Sequence, residues 1–273
     1  MITTRQDIEQ AISALSLAGK TLFIHSAIKS FGQLEGGPDT LLDPLIAAGC
    51  TLIMPSFTYA PLCPPPANAP DMADTAYGGH RGAWDLPPTR AYDYRDSEIE
   101  SSMGVIPRAL LNKPTRVRSQ HPINSFVGIG PLAESILAQQ TLQHVYGLYD
   151  NQPQAWVLTM GVSLTSVTPI HYGEQQAGRK LFQRWAQQVN PNTGEVDTDL
   201  VAIGSCSNGF DKLQPYVQPI ARELKVGASD WTLYPLHPLI SRCKRAIQQQ
   251  QAITHCDDVN CLRCQDAIAS ATS

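Results

Sequence analysis

Thr21-Leu22-Phe23-Ile24 and Thr51-Leu52-Ile53-Met54 are the stretches whose reading decides the fold. Each is a short, unbroken apolar run. Such a run suits a strand that is covered on both faces. Pro55 stops the second run, and residues 39–48 between the two read as a helix. Strand, helix and strand in succession are the unit of a sheet that carries helices on its faces. The fold class is therefore α/β.

Working outward, Ile8, Ile12, Leu15 and Leu17 recur at helical spacing, so residues 5–18 read as an opening helix. Further helices are expected over 103–111, 131–139, 215–224 and 235–253, and one around His171. Strands are expected over 126–130, 155–160, 181–189 and 198–203, with a turn at Asn192-Thr193-Gly194. No internal repeat is visible. Residues 55–100 stand apart. Pro61, Pro64, Pro65, Pro66, Pro70, Pro87 and Pro88 exclude regular structure over much of the segment. A long irregular stretch inside a domain reads as a functional loop or lid. Its aromatics Phe57, Tyr59, Tyr77, Trp84, Tyr92 and Tyr94 are expected to pack on something. The organisation is one domain over 1–254 and a cysteine-containing tail over 255–273.

The chain has 273 residues, 42% of them hydrophobic, and a net charge of −4 from 20 basic and 24 acidic side chains. There is no basic run to hold nucleic acid and no long apolar stretch to cross a membrane. The N-terminus lacks the form of a signal peptide, so a cytoplasmic location is the expectation. The seven cysteines do not form a secreted disulfide framework and are expected to be reduced.

Thr168-Pro169-Ile170-His171-Tyr172-Gly173-Glu174 carries the chemistry. Thr168 is a good helix N-cap and Pro169 suits the first helical position. His171 and Glu174 then share a helix face. A carboxylate beside an imidazole fixes its tautomer and stabilises its cation, as a general base requires. The helix is expected to survive replacement of either residue, so the melting temperature is expected to move little.

Four blocks stand in a telling order: His25-Ser26-Ala27-Ile28-Lys29-Ser30-Phe31-Gly32 with Gly36-Gly37; Thr51-Leu52-Ile53-Met54-Pro55-Ser56-Phe57; Met103-Gly104-Val105-Ile106-Pro107 with Arg118-Ser119-Gln120-His121-Pro122-Ile123-Asn124-Ser125-Phe126; and residues 168–174. Together with Gly204-Ser205-Cys206-Ser207-Asn208-Gly209-Phe210 they resemble the aminoglycoside 3-N-acetyltransferase family over residues 20–220. The resemblance implies a three-layer α/β/α sandwich with a mixed central sheet, distinct from the Gcn5-like acetyltransferase fold. It implies direct transfer of an acetyl group from acetyl-CoA to an amine of an aminoglycoside antibiotic, at the 3-amino group, giving resistance. In that setting His171 is the general base, Glu174 its partner, and Thr168 with nearby amides a donor to the oxyanion. The cofactor would be held by His25, Ser26, Ser30, Gly36 and Gly37, and by Arg118, Ser119, His121 and Ser125. The chain departs from the family at Ala27, where a second serine is usual, and at Thr165, near which an acidic residue often stands.

Two further readings remain. Related enzymes acetylate other small amines, such as amino sugars or aminophosphonates. Asp71, Asp74, Asp85, Asp93, Asp96, Glu98 and Glu100 would favour a polycationic acceptor. A non-catalytic binding protein with a metal-bound tail is the reading from another class. A serine hydrolase is disfavoured because no Gly-x-Ser-x-Gly is present. In the tail, His255-Cys256 and Cys261-Leu262-Arg263-Cys264 offer soft ligands, but one Cys-x2-Cys pair and an adjacent His and Cys fit a zinc tetrahedron poorly. No metal is expected there; a disulfide or plain thiols are. The oligomeric state, homodimer included, stays open.

Overall fold

The structure is a computed structural model that describes residues 2–69 and 88–271. Asp71, Asp74, Tyr77, Trp84 and Asp85 lie outside the described residues. A seven-stranded mixed sheet forms the centre, in the order β10-β11-β7-β2-β4-β6-β5. Its strands are β2 (Thr21–Ser26), β4 (Thr51–Pro55), β5 (Val117–Arg118), β6 (Phe126–Ile129), β7 (Trp156–Met160), β10 (Arg222–Val226) and β11 (Ser229–Pro235). β2 runs parallel to β4 and β7, while the outer pairings are antiparallel. Two short strands, β1 (Ile2–Thr3) and β3 (Gln33–Leu34), pair beside it.

Alternation along the central strands builds two cores. Leu22 and Ile24 of β2, with Leu52 and Met54 of β4, face one side. There they meet α1 (Arg5–Ala14), α2 (Pro38–Ala47) and α3 (Val105–Leu111) through Ile8, Leu41, Leu45, Ile106 and Leu110. Phe23, Ile53 and Val157 face the other side. They meet α4 (Ala133–Leu137), α5 (Pro169–Gln176) and α7 (Leu236–Gln249) through Ile136, Ile170, Leu239 and Ile240. Successive strand side chains point to opposite faces, so a strand clad on both sides must be apolar at every position. This is the three-layer α/β/α arrangement expected from the sequence.

A separate antiparallel hairpin, β8 (Phe182–Val189) and β9 (Val196–Ile203), turns near Gly194 and has its own small core. Residues 61–63 and Tyr92 of the 55–100 segment lie along it. The Cys63 amide donates to the Trp185 carbonyl, the Gln187 amide to Pro61, and the Tyr92 amide to Gln187. That is where the aromatic and proline-rich segment packs.

The C-terminal part of the sheet differs from the sequence expectation. The helix expected over 215–224 ends early: α6 (Gln214–Val217) gives way to a short 3-10 turn and then to β10. Pro219 lacks the amide that would extend the helix. β10 and β11 were not foreseen, because charged edge residues Arg222, Glu223 and Lys225 hide the strand pattern. Their hairpin closes on Gly227 at φ 59°, a conformation that suits glycine. The three tail cysteines stand at separate places in the chain fold. α8 (Leu262–Ala269) contains Cys264, Cys261 caps it, and Cys256 precedes it.

Candidate active site

The carboxyl ends of the parallel strands β2, β4 and β7 converge, and sheets of this kind place their sites beyond such ends. A cavity of about 380 Å³ opens there. His25 and Ser26 enter it from the end of β2, Phe57 and Tyr59 from beyond β4, and Thr168 and His171 from the start of α5. The loop 204–208 after β9 closes another wall, with Arg184 and Arg263.

His171 Nδ1 lies 2.8 Å from Glu174 Oε2, as the spacing predicts. An ionised carboxylate only accepts, so Nδ1 donates to it, and in the neutral ring Nε2 is the nitrogen left to accept a proton. The ring lies parallel to Tyr146, with centroids 6.0 Å apart, and meets the edge of Phe210 at 4.8 Å. These two aromatics fix its plane.

Glu174 is buried and has more partners than the sequence suggests. Ser205 Oγ donates to Oε2 at 2.9 Å, Thr254 Oγ1 to Oε1 at 3.3 Å, and Arg179 forms a buried ion pair with Oε1. Burial alone would raise its pKa. The His171 hydrogen bond, the His171 and Arg179 charges and the Ser205 bond outweigh burial and hold it below the ordinary carboxylate value. It stays an anion at neutral pH. Tyr146, under the imidazole, is driven well above its usual pKa by burial and then by the Glu174 charge, so it keeps its proton.

Thr168 differs from expectation. Its backbone is helical, at φ −53° and ψ −37°, and its side chain caps nothing. The 3-10 turn at Leu164–Ser166 feeds almost directly into α5, so Thr168 never adopts the extended conformation a capping residue needs. It nevertheless lines the cavity. Thr165 lines it too, bonded to Ser163 at 2.9 Å.

The expected cofactor residues divide. His25 and Ser26 border the cavity. Burial lowers the pKa of His25 to about 3, so its ring is neutral. Ser30 is engaged with the Ala27 carbonyl and with Ser229, each at 2.7 Å. Gly36 and Gly37 form the left-handed turn before α2, at φ 75° and 71°. They do not border the cavity.

Arg118, Ser119, His121 and Ser125 are buried away from it. The Arg118 guanidinium donates to the Ser56 carbonyl at 2.7 Å and to Ser125 Oγ at 3.2 Å, and lies over the Tyr92 ring. Ser119 Oγ accepts from the Phe126 amide at 2.8 Å. His121 Nε2 donates to the Ala202 carbonyl at 2.9 Å and Nδ1 accepts from the Asn124 amide at 2.9 Å. The structure gathers this block into a bracket joining β5, β6 and the hairpin. Both nitrogens of His121 are committed, and burial lowers its pKa to about 4. Of the acids expected to attract a cation, Asp93 pairs with Arg95 and Asp96 with Arg90.

Sequence reasoning missed Tyr146, Arg179, Arg184 and Arg263. It quoted residues 204–210 without giving Ser205 or Phe210 a role. The signal was present in that stretch, which resembles the family, although residues 204–209 lie outside any helix or strand.

A histidine–carboxylate pair at the wall of a cleft beyond the parallel strands is the arrangement of a general base beside a substrate cavity. The sequence profile described as aminoglycoside 3-N-acetyltransferase matches residues 23–248, and the chain belongs to that family. Aminoglycoside N(3)-acetyltransferase IX of Micromonospora chalcea is 27% identical over 87% of this chain and 91% of its own length. An aminoglycoside N(3)-acetyltransferase III of Salmonella is 30% identical over 70% of this chain and 66% of its own length. Among solved structures, aminoglycoside acetyltransferase AAC(3)-IVa as apoenzyme superposes with a TM-score of 0.75 at 21% identity, covering 99% of this chain and 98% of its own. AAC-IIIb in binary complex with CoASH superposes with a TM-score of 0.74 at 21% identity, covering 92% and 98%. The protein shares their α/β fold. Among the described residues no helix is long and apolar enough to cross a membrane.

Proposed function

We propose that this protein acetylates an amine of an aminoglycoside antibiotic, the 3-amino group of its deoxystreptamine ring, using acetyl-CoA in the cytoplasm, and so confers resistance. The observation that carries this reading is the His171 Nδ1 to Glu174 contact of 2.8 Å at the wall of the cavity, in a chain of this family. Residues 1–254 form the acetyltransferase domain, and 255–273 the tail fastened to it.

The acceptor amine is mostly protonated at neutral pH and must lose a proton to attack. His171 Nε2 takes it, and Glu174 stabilises the imidazolium through Nδ1–H. The amine nitrogen then bonds to the thioester carbonyl carbon, and the oxygen becomes an oxyanion. Thr168 Oγ1 and the neutral Tyr146 hydroxyl are the side-chain donors beside it. The nitrogen sheds its second proton to solvent as the C–S bond breaks, and the CoA sulfur leaves with the proton returned from His171. His25 and Ser26 at the end of β2 border one side of the cavity, and Ser102 and Met103 border another, so the pantetheine arm fits between them.

The test is a free-thiol release assay with acetyl-CoA against a panel of aminoglycosides and simple amines, with product regiochemistry read by NMR. Turnover with an aminoglycoside and acetylation at N3 are expected. Thiol release with simple amines alone would move the acceptor to another class. Calorimetry with no heat up to millimolar acetyl-CoA would remove the reading.

A further inference from the structure

We propose that Cys206, Cys256, Cys261 and Cys264 form a structural zinc site that fastens the C-terminal tail to the active-site loop. The four sulfur atoms all lie within 4.8 Å of one another. A tetrahedral zinc with Zn–S bonds of about 2.3 Å sets its sulfurs roughly 3.8 Å apart. Movements of well under an ångström per thiol close that gap, within reach of side-chain rotation.

The folding of the tail answers both objections raised by its sequence. The second half of the site is not local: Cys206, on the loop after β9, supplies the fourth sulfur. His255 is not needed, because its Nδ1 is engaged with the Cys256 carbonyl at 2.8 Å. The arrangement is otherwise that of a metal knuckle. Cys261 and Cys264 span the N-terminal turn of α8, and the Cys256 amide donates toward Cys264 Sγ at 3.4 Å. Amides aimed at sulfur support a thiolate, which is the form a metal binds. Cys206, Cys256 and Cys264 are buried, and the four cysteines form a cluster of their own, separate from the apolar cores.

Four soft thiolates with no water-bearing position define a closed site, which selects zinc and gives it a structural role. Loading releases the thiol protons to solvent. The site would reach the chemistry indirectly. Ser205, next to Cys206, donates to Glu174, and Arg263, next to Cys264, donates to the Ser205 carbonyl at 2.7 Å. The metal therefore positions the loop that supports the His171 partner.

The test uses the full chain, expressed with zinc supplementation and freed of any polyhistidine tag. Elemental analysis should find about one zinc per chain, released stoichiometrically by an organomercurial. Cobalt substitution should give thiolate charge-transfer bands and tetrahedral d–d absorption. Cys206→Ser and Cys264→Ser should each lower zinc content at least tenfold, while Cys50→Ala, remote from the cluster, should keep it. Should the serine variants fail to fold, the cobalt spectrum of the parent protein still decides. Zinc at background with no cobalt charge transfer would overturn the proposal. So would a disulfide among these cysteines by mass spectrometry, or full zinc retention in Cys206→Ser.

Discussion

Glu174→Gln separates catalysis from stability at this site. The substitution keeps the side-chain volume and removes the charge. What it leaves behind is Arg179, whose side chain is 3% exposed and whose carboxylate partner is 4% exposed. Removing one member of a buried ion pair costs about 3–5 kcal/mol, because the other charge is left without compensation. The new amide group also has to face a donor, either His171 Nδ1–H or Ser205 Oγ–H. For a chain of this size each kcal/mol lowers the melting temperature by about 2–4 °C, so a fall on the order of 10 °C is expected. His171→Ala breaks no such pair. It should melt within a few degrees of the parent while kcat falls about a hundredfold or more and acetyl-CoA affinity stays nearly intact. Differential scanning calorimetry on both variants, beside thiol-release kinetics, makes the comparison. Two results would refute the reasoning: a Glu174→Gln protein that melts with the parent, or a His171→Ala enzyme with normal kcat. The first would release Arg179 from dependence on Glu174, and the second would move the base elsewhere.

Acid should unfold the protein early. His25 and His121 drop from an ordinary 6.5 to about 3 and about 4, so below pH 6.5 the unfolded chain takes up protons that the folded one refuses. Between pH 7 and pH 5 this should remove about 2 kcal/mol for each histidine, and the depressed carboxylate of Glu174 adds a loss at still lower pH; urea titrations at the two pH values measure it. A denaturation midpoint unchanged over that interval would contradict the burial argument. Arg118→Ala should lower the melting temperature and weaken CoA and dephospho-CoA equally, since its guanidinium is spent on Ser56, Ser125 and Tyr92; a loss confined to CoA would place it at the ribose phosphate. Gly204→Ala should reduce kcat sharply, because a Cβ there would lie 2.4 Å from Tyr146 Oη and 2.9 Å from the His171 ring; an alanine variant with parental kcat would show that the ring has room to move.

The central strands and the His171/Glu174 pair were legible because their signals are local. An unbroken apolar run such as Leu22-Phe23-Ile24 says that both faces are covered, whatever covers them. Two residues spaced one helical turn apart meet on any helix. Arg179, Thr254 and Ser205 reach Glu174 from three separate segments, and no spacing rule connects them. The Arg118 block illustrates the opposite error. Guanidinium, hydroxyls and imidazole close together in sequence look like a phosphate site, yet in the fold most of them are spent on backbone groups, the Ser56 and Ala202 carbonyls and the Phe126 and Asn124 amides, with Arg118 also on Ser125. Cys206 is invisible beside the tail cysteines for the same reason that Ser205 is: its partners are set by the path of the chain after β9.

The contact between Arg263 and the carbonyls of Gly204 and Ser205 also orders events during synthesis. The loop leaves the ribosome about 60 residues before the helix that holds it, which at roughly 5–20 residues per second is a delay of about 3–12 s. By the end of that interval β10, β11 and α7 have joined the sheet, the hairpin and His171, but the wall of the cleft formed by residues 204–208 still has no outer support. The nascent protein therefore passes through a stage in which its core is complete and its catalytic cleft is not, and competence arrives with one of its last-made helices.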